Sequence, residues 1–449
     1  MSKKMKKLET NKVYVGSCLD VLKTFPDESL DMCITSPPYW GLRDYGTEGQ
    51  VWGGDEKCKH DFDKSKRKLH SGSWGEKDNA LPHFKNATKL NWEVEDRTCN
   101  KCGAWKGELG LEPTPEMFIN NLCDIFDEVQ RVLRPHGSCW VNLGDSYVRN
   151  PSQQDSIGKT GIKSTKYEYN FKHKKSYGST YKTKSLVQIP SRFAIEMTDR
   201  GWILRNEIIW HKPSCLPSSA TDRFTVDFEK MFFFTKNPKY YFKQQIEPVK
   251  EVSLKRAQYG LNQTDNAQKA VNVQNMKKMG TRFVNPNGRN KRTVWDVNTA
   301  SFKGAHFAVY PPELIKSPID AGCPELVDKV TGLPRERNIE KQSLERHELP
   351  KDHPSYRPER YEGKYEQGQR YATYDDKGYV DGRDDEEFVP GIVLDPFFGS
   401  GTTAEVAMKQ DKDWVGIELN PDFIEISDKR LEPTKIEKKT RDKSKEFWK

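Results

Sequence analysis

A short proline-rich segment, residues 35–40 (TSPPYW), follows an apolar run and carries groups suited to binding a planar amine. Pro37 and Pro38 lack backbone N–H donors and fix φ, so the loop is stiff and its carbonyl oxygens stay available as acceptors. Ser36 adds a hydroxyl acceptor, and Tyr39 offers a flat aromatic face. Such a loop suits a planar group with an exocyclic amine, for example an unstacked nucleobase. Taken by itself, the segment is also typical of an ordinary turn.

A glycine-rich segment, residues 393–403 (VLDPFFGSGTT), has the pattern of a strand, a tight turn and the start of a helix. Gly399 and Gly401 would let the backbone approach a ligand, and the amino end of the helix favours a carboxylate or phosphate. Glu418 ends the next predicted strand, at the distance from Asp395 where an acid binds a ribose diol in nucleotide-binding folds. The glycine spacing argues against a dinucleotide dehydrogenase and a P-loop NTPase. An adenosine with a methionine tail fits better.

Three cysteines and one histidine form a candidate metal site: Cys58, His60, Cys99 and Cys102. The last two have the C-x₂-C spacing of a zinc knuckle, and the polar segment between the two pairs has little core of its own. We therefore expect one structural Zn²⁺ that holds the insertion, and loss of the ion should leave cofactor binding largely intact. His70 and His83 are alternative ligands, and two unrelated cysteine pairs are the alternative interpretation.

Together, the proline-rich and glycine-rich segments resemble two motifs of the DNA amino-methyltransferases, which methylate exocyclic nitrogens with S-adenosylmethionine. TSPPYW resembles their catalytic [DNS]-P-P-[YFW] tetrapeptide, and DPFFGSGTT is similar to their F-x-G-x-G cofactor motif. The catalytic motif comes first, which is the permuted order of the β-class. The resemblance covers residues 12–60, 108–148, 186–248, 293–324 and 391–431. It implies an α/β, Rossmann-like, mostly parallel seven-stranded sheet and a double-stranded DNA substrate.

The resemblance also implies roles for individual residues. The catalytic loop would comprise Ser36, Pro37, Pro38 and Tyr39. The cofactor would be bound by Asp395, Phe397, Gly399, Gly401, Thr402 and Glu418. His306 and Phe307 lie in a stretch that resembles the motif closing the methionine end of the cofactor site. Ser17 occupies a place where relatives often have an aspartate near the adenine, and its hydroxyl can hydrogen-bond but carries no charge.

In this family, a Ser-Pro-Pro-Tyr loop is associated with methylation of cytosine N4, and Asp-Pro-Pro-Tyr more with adenine N6. The resemblance therefore favours a site-specific methyltransferase acting on cytosine N4. Adenine N6 remains the alternative, because both bases present similar N–H groups. A nucleic-acid-binding module without turnover and an RNA methyltransferase are weaker alternatives, and the intact motifs argue against the binding module.

Alternating short strands and helices at both ends of the chain must position these loops. The predicted strands are 12–16, 30–35, 138–143, 202–210, 229–236, 391–397 and 414–419. The clearest helix is 114–133, which Thr114 can cap, with Pro115 at its first position and an apolar stripe along it. The strand 229–236 is expected at an edge of the sheet. Residues 10–431 are predicted to form one domain, with a single sheet built from both ends of the chain, because that arrangement leaves fewer edge strands.

The positive charge is concentrated in two polar stretches. Residues 151–187 carry a net charge of +6 and residues 250–292 a net charge of +8, so the rest of the chain sums to −6. Basic stretches of this kind fit contacts with a phosphate backbone. The segments 149–187 and 249–292 are therefore expected to bind DNA, and solvated loops are the alternative.

Three further segments are polar insertions or tails. Residues 52–108 are predicted to form a zinc-knuckle-like insertion, residues 325–388 a polar insertion or loop, and residues 432–449 a frayed basic tail. The mean hydropathy of −0.89 agrees with a large share of polar segments. No apolar run reaches the roughly 20 residues of a membrane span, and the start MSKKMKKLET lacks the apolar part of a secretory signal. A cytoplasmic location is expected. A cognate restriction endonuclease would be a partner if the enzyme belongs to a restriction-modification pair.

Overall fold

The computed structural model describes residues 8–42, 47, 49–62, 98–148, 181–249, 288–300, 310–335, 337–342, 373–379 and 387–447. Within these ranges, eight strands form the central sheet: β1 Lys12–Val15, β2 Leu30–Thr35, β5 Leu133–Leu143, β6 Ile203–His211, β7 Phe228–Thr235, β10 Val294–Asp296, β15 Ile392–Asp395 and β16 Asp413–Glu418. Four smaller pairs are β3 Gln50–Trp52 with β4 Trp105–Gly107, β8 Ile246–Glu247 with β9 Arg289–Asn290, β11 Leu326–Asp328 with β14 Phe388–Pro390, and β12 Arg337–Gln342 with β13 Thr373–Tyr379. The described helices are α1 Cys18–Lys23, α2 Pro115–Val132, α3 Ile189–Asp199, α4 Pro312–Gly322, α5 Thr402–Lys409 and α6 Pro421–Phe447.

Strands from both ends of the chain make up one sheet, in the order β1-β16-β15-β2-β5-β7-β6-β10. All neighbouring strands are parallel except at β7, which runs antiparallel to β5 and β6. This is the mostly parallel, Rossmann-like sheet that was predicted. The described sheet has eight strands instead of the predicted seven, because the three-residue strand β10 pairs with the outer side of β6.

The position of β7 differs from the prediction for residues 229–236. We expected a strand at the edge of the sheet, but β7 lies between β5 and β6. Its residues Met231 to Phe234 are all buried, with Phe232 and Phe234 on one face and Met231 and Phe233 on the other. A strand that is apolar on both faces is covered on both sides, which is typical of an interior strand.

Helices cover both faces of the sheet and so fix the loops at its edges. The side chains of β2 alternate, with Cys33 packing towards α1, α2 and α3, and Met32 and Ile34 towards α4 and α5. Helix α2 begins as predicted, because the Thr114 side chain accepts a hydrogen bond from the Met117 backbone N–H at 3.2 Å. No helix in the described ranges has the length and apolar character needed to cross a lipid bilayer.

The carboxyl-terminal segment and the polar insertion are more regular than expected. Instead of fraying after residue 431, helix α6 continues to Phe447. Its residues Leu431 and Thr434 are buried, and Arg441 donates to the Met408 carbonyl oxygen at 3.0 Å, so one face of this basic helix is anchored against the end of α5. The described residues of the segment 325–388 include β11, β12, β13 and the start of β14, and pairing of β11 with β14 brings the two ends of the segment together.

Candidate active site

One cavity joins the two sequence motifs. It has a volume of about 170 Å³ and lies at the carboxyl ends of β2, β15 and β16. Ser36 and Pro38 line it on one side, and Asp395, Gly399 and Glu418 line it on the other. The carboxyl ends of parallel strands share one edge of a sheet, so these loops meet although Thr35 and Asp395 are 360 positions apart in the sequence.

The turn after β15 depends on its glycines. Gly399 and Gly401 have φ of +52° and +79°, a region that other residues adopt at a cost. A Cβ atom at Gly401 would also lie 3.2 Å from the Ser427 Cβ. Arg430 holds the turn from outside by donating to the hydroxyl oxygens of Ser400 and Thr402, each at 2.8 Å. Phe397, Gly399 and Thr402 line the cavity, whereas Gly401 does not and faces Ser427 of α6.

Asp395 braces the loops around the cavity. Its carboxylate accepts hydrogen bonds from the Thr35 hydroxyl at 2.6 Å, the Thr403 hydroxyl at 2.5 Å, the Tyr310 hydroxyl at 3.1 Å and the Phe397 backbone N–H at 3.1 Å. Burial raises the pKa of Asp395, and these hydrogen bonds oppose that effect. The side chain lines the cavity, but protein donors already occupy both of its oxygens.

Glu418 faces the same cavity with spare acceptor capacity. One of its carboxylate oxygens accepts from the Gly399 backbone N–H at 2.7 Å and the other from the Asn420 backbone N–H at 2.8 Å. Burial raises its pKa, with those backbone hydrogen bonds acting in the opposite direction. A carboxylate has about four lone-pair positions, so each oxygen can still accept a hydroxyl from a vicinal diol.

Ser17 lies beside the cavity but does not line it. Its hydroxyl donates to the side-chain oxygen of Gln50 at 3.2 Å, and Gln50 is the one that reaches the cavity. The amide of Gln50 offers both a donor and an acceptor to a heterocycle. The local sequence does not identify Gln50 as a site residue, because Gln50 reaches the cavity only through the pairing of β3 with β4.

The stretch predicted to close the other end of the cofactor site is described only in part. His306 and Phe307 lie outside the described residues. Tyr310, three positions after Phe307, lines the cavity, is buried, and bonds to Asp395 and to the Thr403 hydroxyl. Tyr310 was not among the predicted residues, although it belongs to the stretch that carried the resemblance.

A chain of side-chain hydrogen bonds starts at Ser36. Its hydroxyl donates to the Tyr39 hydroxyl at 3.3 Å, and the Tyr39 hydroxyl lies 2.6 Å from a carboxylate oxygen of Glu229. Lys212 forms an ion pair with the other oxygen of Glu229. Asn142 donates to Glu229 at 3.1 Å, and its own oxygen lies 3.0 Å from the Tyr39 hydroxyl. Sequence reasoning missed Glu229, Lys212 and Asn142. Glu229 lies on β7 and Asn142 on β5, and Lys212 directly follows β6.

Two glycines hold the catalytic loop in position. A Cβ atom at Gly144 would lie 2.6 Å from a ring carbon of Tyr39, so only glycine admits the ring there. Gly110 has φ of +94°, and its carbonyl oxygen accepts from the Gly41 backbone N–H at 2.8 Å. Pro37 is buried, whereas Pro38 is partly exposed and lines the cavity.

A buried acid supports the loop that carries Gly110. The Glu112 carboxylate accepts from the Gly110 backbone N–H at 2.8 Å and from the Asn121 amide at 3.1 Å. Burial raises the pKa of Glu112 to about 7, although these hydrogen bonds oppose the rise. The Trp40 ring N–H donates to the Glu112 carbonyl oxygen at 3.0 Å, which connects this support to the end of the catalytic loop.

The structure also brings the predicted metal ligands together. The ligand atoms of Cys58, His60, Cys99 and Cys102 all lie within 4.8 Å of one another. His70 and His83, the alternative ligands, lie outside the described residues.

Comparisons with known proteins agree on one family. The family model described as a DNA methylase of the N6/N4 type matches residues 30–330 and 388–429. The chain is 28% identical over 426 residues to the Type II methyltransferase M.Cfr9I of Citrobacter freundii, covering 94% of this chain and 87% of the relative. It is 26% identical over 427 residues to the Type II methyltransferase M.SmaI of Serratia marcescens, covering 94% and 91%.

Two solved structures are also similar. The chain is 14% identical to the PvuII DNA methyltransferase (cytosine-N4-specific), with a TM-score of 0.41 and coverage of 93% of this chain and 85% of that one. It is 15% identical to TTHA0409, a putative DNA modification methylase from Thermus thermophilus in complex with S-adenosyl-L-methionine, with a TM-score of 0.39 and coverage of 94% of both chains.

Proposed function

Because this chain belongs to the N6/N4 family of DNA methylases, we propose that it transfers a methyl group from S-adenosylmethionine to N4 of cytosine in double-stranded DNA. The observation that carries the proposal is the single cavity lined by both Ser36 and the glycine-rich turn. A methyl donor bound at the turn and an amine bound at Ser36 would be neighbours in it. The choice of cytosine over adenine is based on a serine, rather than an aspartate, at position 36.

The residues around the cavity fit S-adenosylmethionine, which would supply a methyl group on a positively charged sulfur. The Gly399 and Asn420 backbone N–H groups each bond to a different oxygen of Glu418. Lone pairs therefore remain on the carboxylate for the two ribose hydroxyls. Gln50 offers its amide to the adenine edge. Gly399 lines the cavity without a side chain, so that the ligand can approach the backbone closely there, and Gly401 supplies the positive φ that the turn needs.

Ser36 would act as the acceptor for the target amine. The carboxylate of Glu229 can only accept, so the proton of the Tyr39 hydroxyl is directed towards Glu229 and the proton of Ser36 towards Tyr39. The lone pairs of the Ser36 oxygen are then free to accept an N–H of the base. This contact draws the amine out of conjugation with the ring and localises its lone pair for attack on the methyl carbon. As the new N–C bond forms, the bond between the methyl carbon and the sulfonium sulfur would break, and its electron pair would stay on the sulfur, which becomes a neutral thioether. The nitrogen would then release its extra proton to solvent, and Ser36 would contribute by positioning and electrostatics.

The DNA would approach the edge of the sheet that carries Ser36. The segment 149–187 leaves and rejoins the fold at this edge, since the Val148 backbone N–H donates to the Ser185 carbonyl oxygen at 2.8 Å just beyond β5. Residues 149–180 and 250–287, which include most of both basic segments, lie outside the described residues. We propose that these basic segments contact the DNA phosphates. We also propose a cognate restriction endonuclease as a partner, as expected for a Type II methyltransferase.

Nucleoside analysis tests the proposed reaction. DNA from cells that express the full chain should contain N4-methylcytosine, whereas DNA from cells that express Ser36→Ala should contain almost none. Detection of N6-methyladenine instead would identify the alternative target. Absence of both modified bases, with methylation of RNA tested in parallel, would contradict DNA methylation by this chain.

A further inference from the structure

We propose that one Zn²⁺ binds the cysteine–histidine cluster and thereby holds a wall of the cofactor cavity in place; the cluster comprises Cys58, His60, Cys99 and Cys102. The wall is the β3–β4 pair, from which Gln50 and Trp52 line the cavity. The metal site stands on its own geometry, whereas its effect on cofactor binding rests on the proposed function.

The spacing of the ligand atoms fits a tetrahedral ion. Bond lengths of about 2.3 Å to sulfur and about 2.0 Å to nitrogen place two sulfurs roughly 3.8 Å apart, and a sulfur and a nitrogen roughly 3.5 Å apart. The Cys58 and Cys99 sulfurs are 4.0 Å apart, and the Cys102 sulfur lies 3.3 Å from Nδ1 of His60. An ion could therefore enter with small shifts of the side chains.

The chemistry of the donors also fits zinc in a structural role. Three sulfurs and one imidazole select a soft or borderline metal, and four protein ligands leave no position open for water. The Asp61 backbone N–H donates to the Cys99 sulfur at 3.3 Å, which is the kind of contact that stabilises a metal-bound thiolate. A disulfide between Cys58 and Cys99 is excluded in this conformation, because a sulfur–sulfur bond is only about 2.0 Å long.

The cluster connects directly to the cavity wall. Gly54 follows β3, and a Cβ atom there would lie 2.8 Å from the Cys102 sulfur. On the other strand, the Cys99 backbone N–H donates to the Ala104 carbonyl oxygen at 2.7 Å, immediately before β4. The metal ligands thus lie at the open end of the β3–β4 pair, where an ion would fasten its two strands together.

Backbone pairing alone gives the wall little stability, although Trp52 and Trp105 also pack into the hydrophobic core. Each strand has three residues, and an isolated two-stranded pair is marginally stable in water. Trp52 is buried and donates to the Gly107 carbonyl oxygen at 2.9 Å, so this residue belongs both to the pair and to the cavity. Loss of the ion was expected to leave cofactor binding largely intact. Because β3 lines the cavity, we now expect loss of the ion to weaken cofactor binding.

The first test is metal content and cofactor affinity of the full chain. Protein purified without a chelator should contain about one zinc per chain by elemental mass spectrometry. Removing zinc from the folded protein with a chelator should raise the dissociation constant for S-adenosylmethionine about tenfold, if the wall is then ordered a tenth of the time. Calorimetry measures this without relying on activity, and adding zinc back should restore the affinity.

Variants separate the cluster from other cysteines. Cys102→Ser should lose zinc and bind the cofactor as weakly as the chelated protein, whereas His60→Cys should retain both zinc and affinity because it keeps four ligands. Cys215→Ser is the matched control, since Cys215 is a partly exposed cysteine outside the cluster. Chelation of the wild-type chain keeps the test valid if Cys102→Ser does not fold.

Each outcome decides a different claim. Wild-type protein without zinc would overturn the metal site. Zinc-bearing protein whose cofactor affinity is unchanged by chelation would overturn the link to the wall. Zinc-bearing wild-type protein that does not bind S-adenosylmethionine at all would contradict the proposed function, while leaving the metal site supported by its zinc content.

Discussion

Two polar side chains on opposite sides of the cavity, Glu418 and Ser36, are held in place by different means. On the cofactor side, backbone N–H groups of Gly399 and Asn420 fix the Glu418 carboxylate. On the catalytic side, Ser36 is oriented by the side chains of Tyr39 and Glu229, each of which could be replaced by a single substitution. The position of Glu418 therefore follows from the local backbone, whereas the orientation of Ser36 depends on Glu229, which is far away in the sequence. Substitutions on the two sides should separate binding of the cofactor from transfer of the methyl group.

The largest expected effect is that of Ser36→Ala. Removing the acceptor should lower the rate of methyl transfer about 10²-fold or more, roughly 3 kcal/mol of transition-state stabilisation. Cofactor affinity should hardly change, because Glu418 and the glycine-rich turn are untouched. Single-turnover transfer of a labelled methyl group measures the first quantity and calorimetry the second. Ser29→Ala, just before the opposite end of β2, is the control. Equal transfer rates in Ser36→Ala and wild type would rule out the role assigned to Ser36.

The converse is expected for Glu418→Ala. Loss of hydrogen bonds from a charged acceptor to the ribose should weaken cofactor binding by about 10- to 100-fold, as each such bond contributes about 1.5–3 kcal/mol. Binding of DNA should not change. Calorimetric titration with S-adenosylmethionine gives the affinity, and Glu432→Ala, at an exposed position of α6, serves as the control. Unchanged affinity in Glu418→Ala would place the ribose elsewhere.

A smaller effect is expected from Glu229→Gln. The variant keeps an acceptor for Tyr39 but removes the charge that pairs with Lys212, so Ser36 should be oriented less firmly. We expect kcat to fall about tenfold, or roughly 1.4 kcal/mol, with KM for the cofactor unchanged. Glu207→Gln is a matched control on the neighbouring strand β6, because Glu207 pairs with Lys230 at 2.7 Å outside this hydrogen-bond chain. A kcat loss of the same size in Glu207→Gln would mean that the effect is merely structural.

The last expected effect is on stability and not on activity: it is the pH dependence of unfolding due to Glu112. Burial raises its pKa in the folded protein to about 7, above the usual value of 4.5. The folded state therefore binds this proton more tightly than the unfolded state, and stability falls as the pH rises from 4.5 towards 7, by at most about 1.4 kcal/mol per pH unit. Urea denaturation across this range should show a smaller decline for Glu112→Gln than for wild type. Parallel curves for the two proteins would contradict this assignment.

The difference between residues held by the local backbone and residues brought together by distant strands also explains what could be predicted from the sequence. The strand and turn around Gly399 and Gly401 have local signals, because the turn needs positive φ and the strand is apolar. The cysteine–histidine cluster could likewise be recognised from its residue types and spacing. The single sheet built from both ends of the chain was predicted by comparing the number of edges that each arrangement would expose.

The residues that were missed have no local signal. Glu229 precedes an apolar run on β7, and only the antiparallel pairing of β7 with β5 brings it next to Asn142 and Tyr39. Gln50 depends in the same way on the β3–β4 pair. The continuation of α6 beyond residue 431 was missed because its basic composition suggested a solvated tail, while its anchoring contacts are made to a different helix.

The interleaving of strands from the two ends of the chain also bears on the synthesis of the protein. On the ribosome, β1 and β2 are translated long before their sheet neighbours β16 and β15. Until then, β1 has no partner in the main sheet and one side of β2 is open, and such unpaired strands are prone to aggregate. The pairing also spans a very long loop, which slows folding. A nascent chain interrupted before β15 would contain the Ser36 loop without Glu418, so prematurely terminated products should be unable to modify DNA.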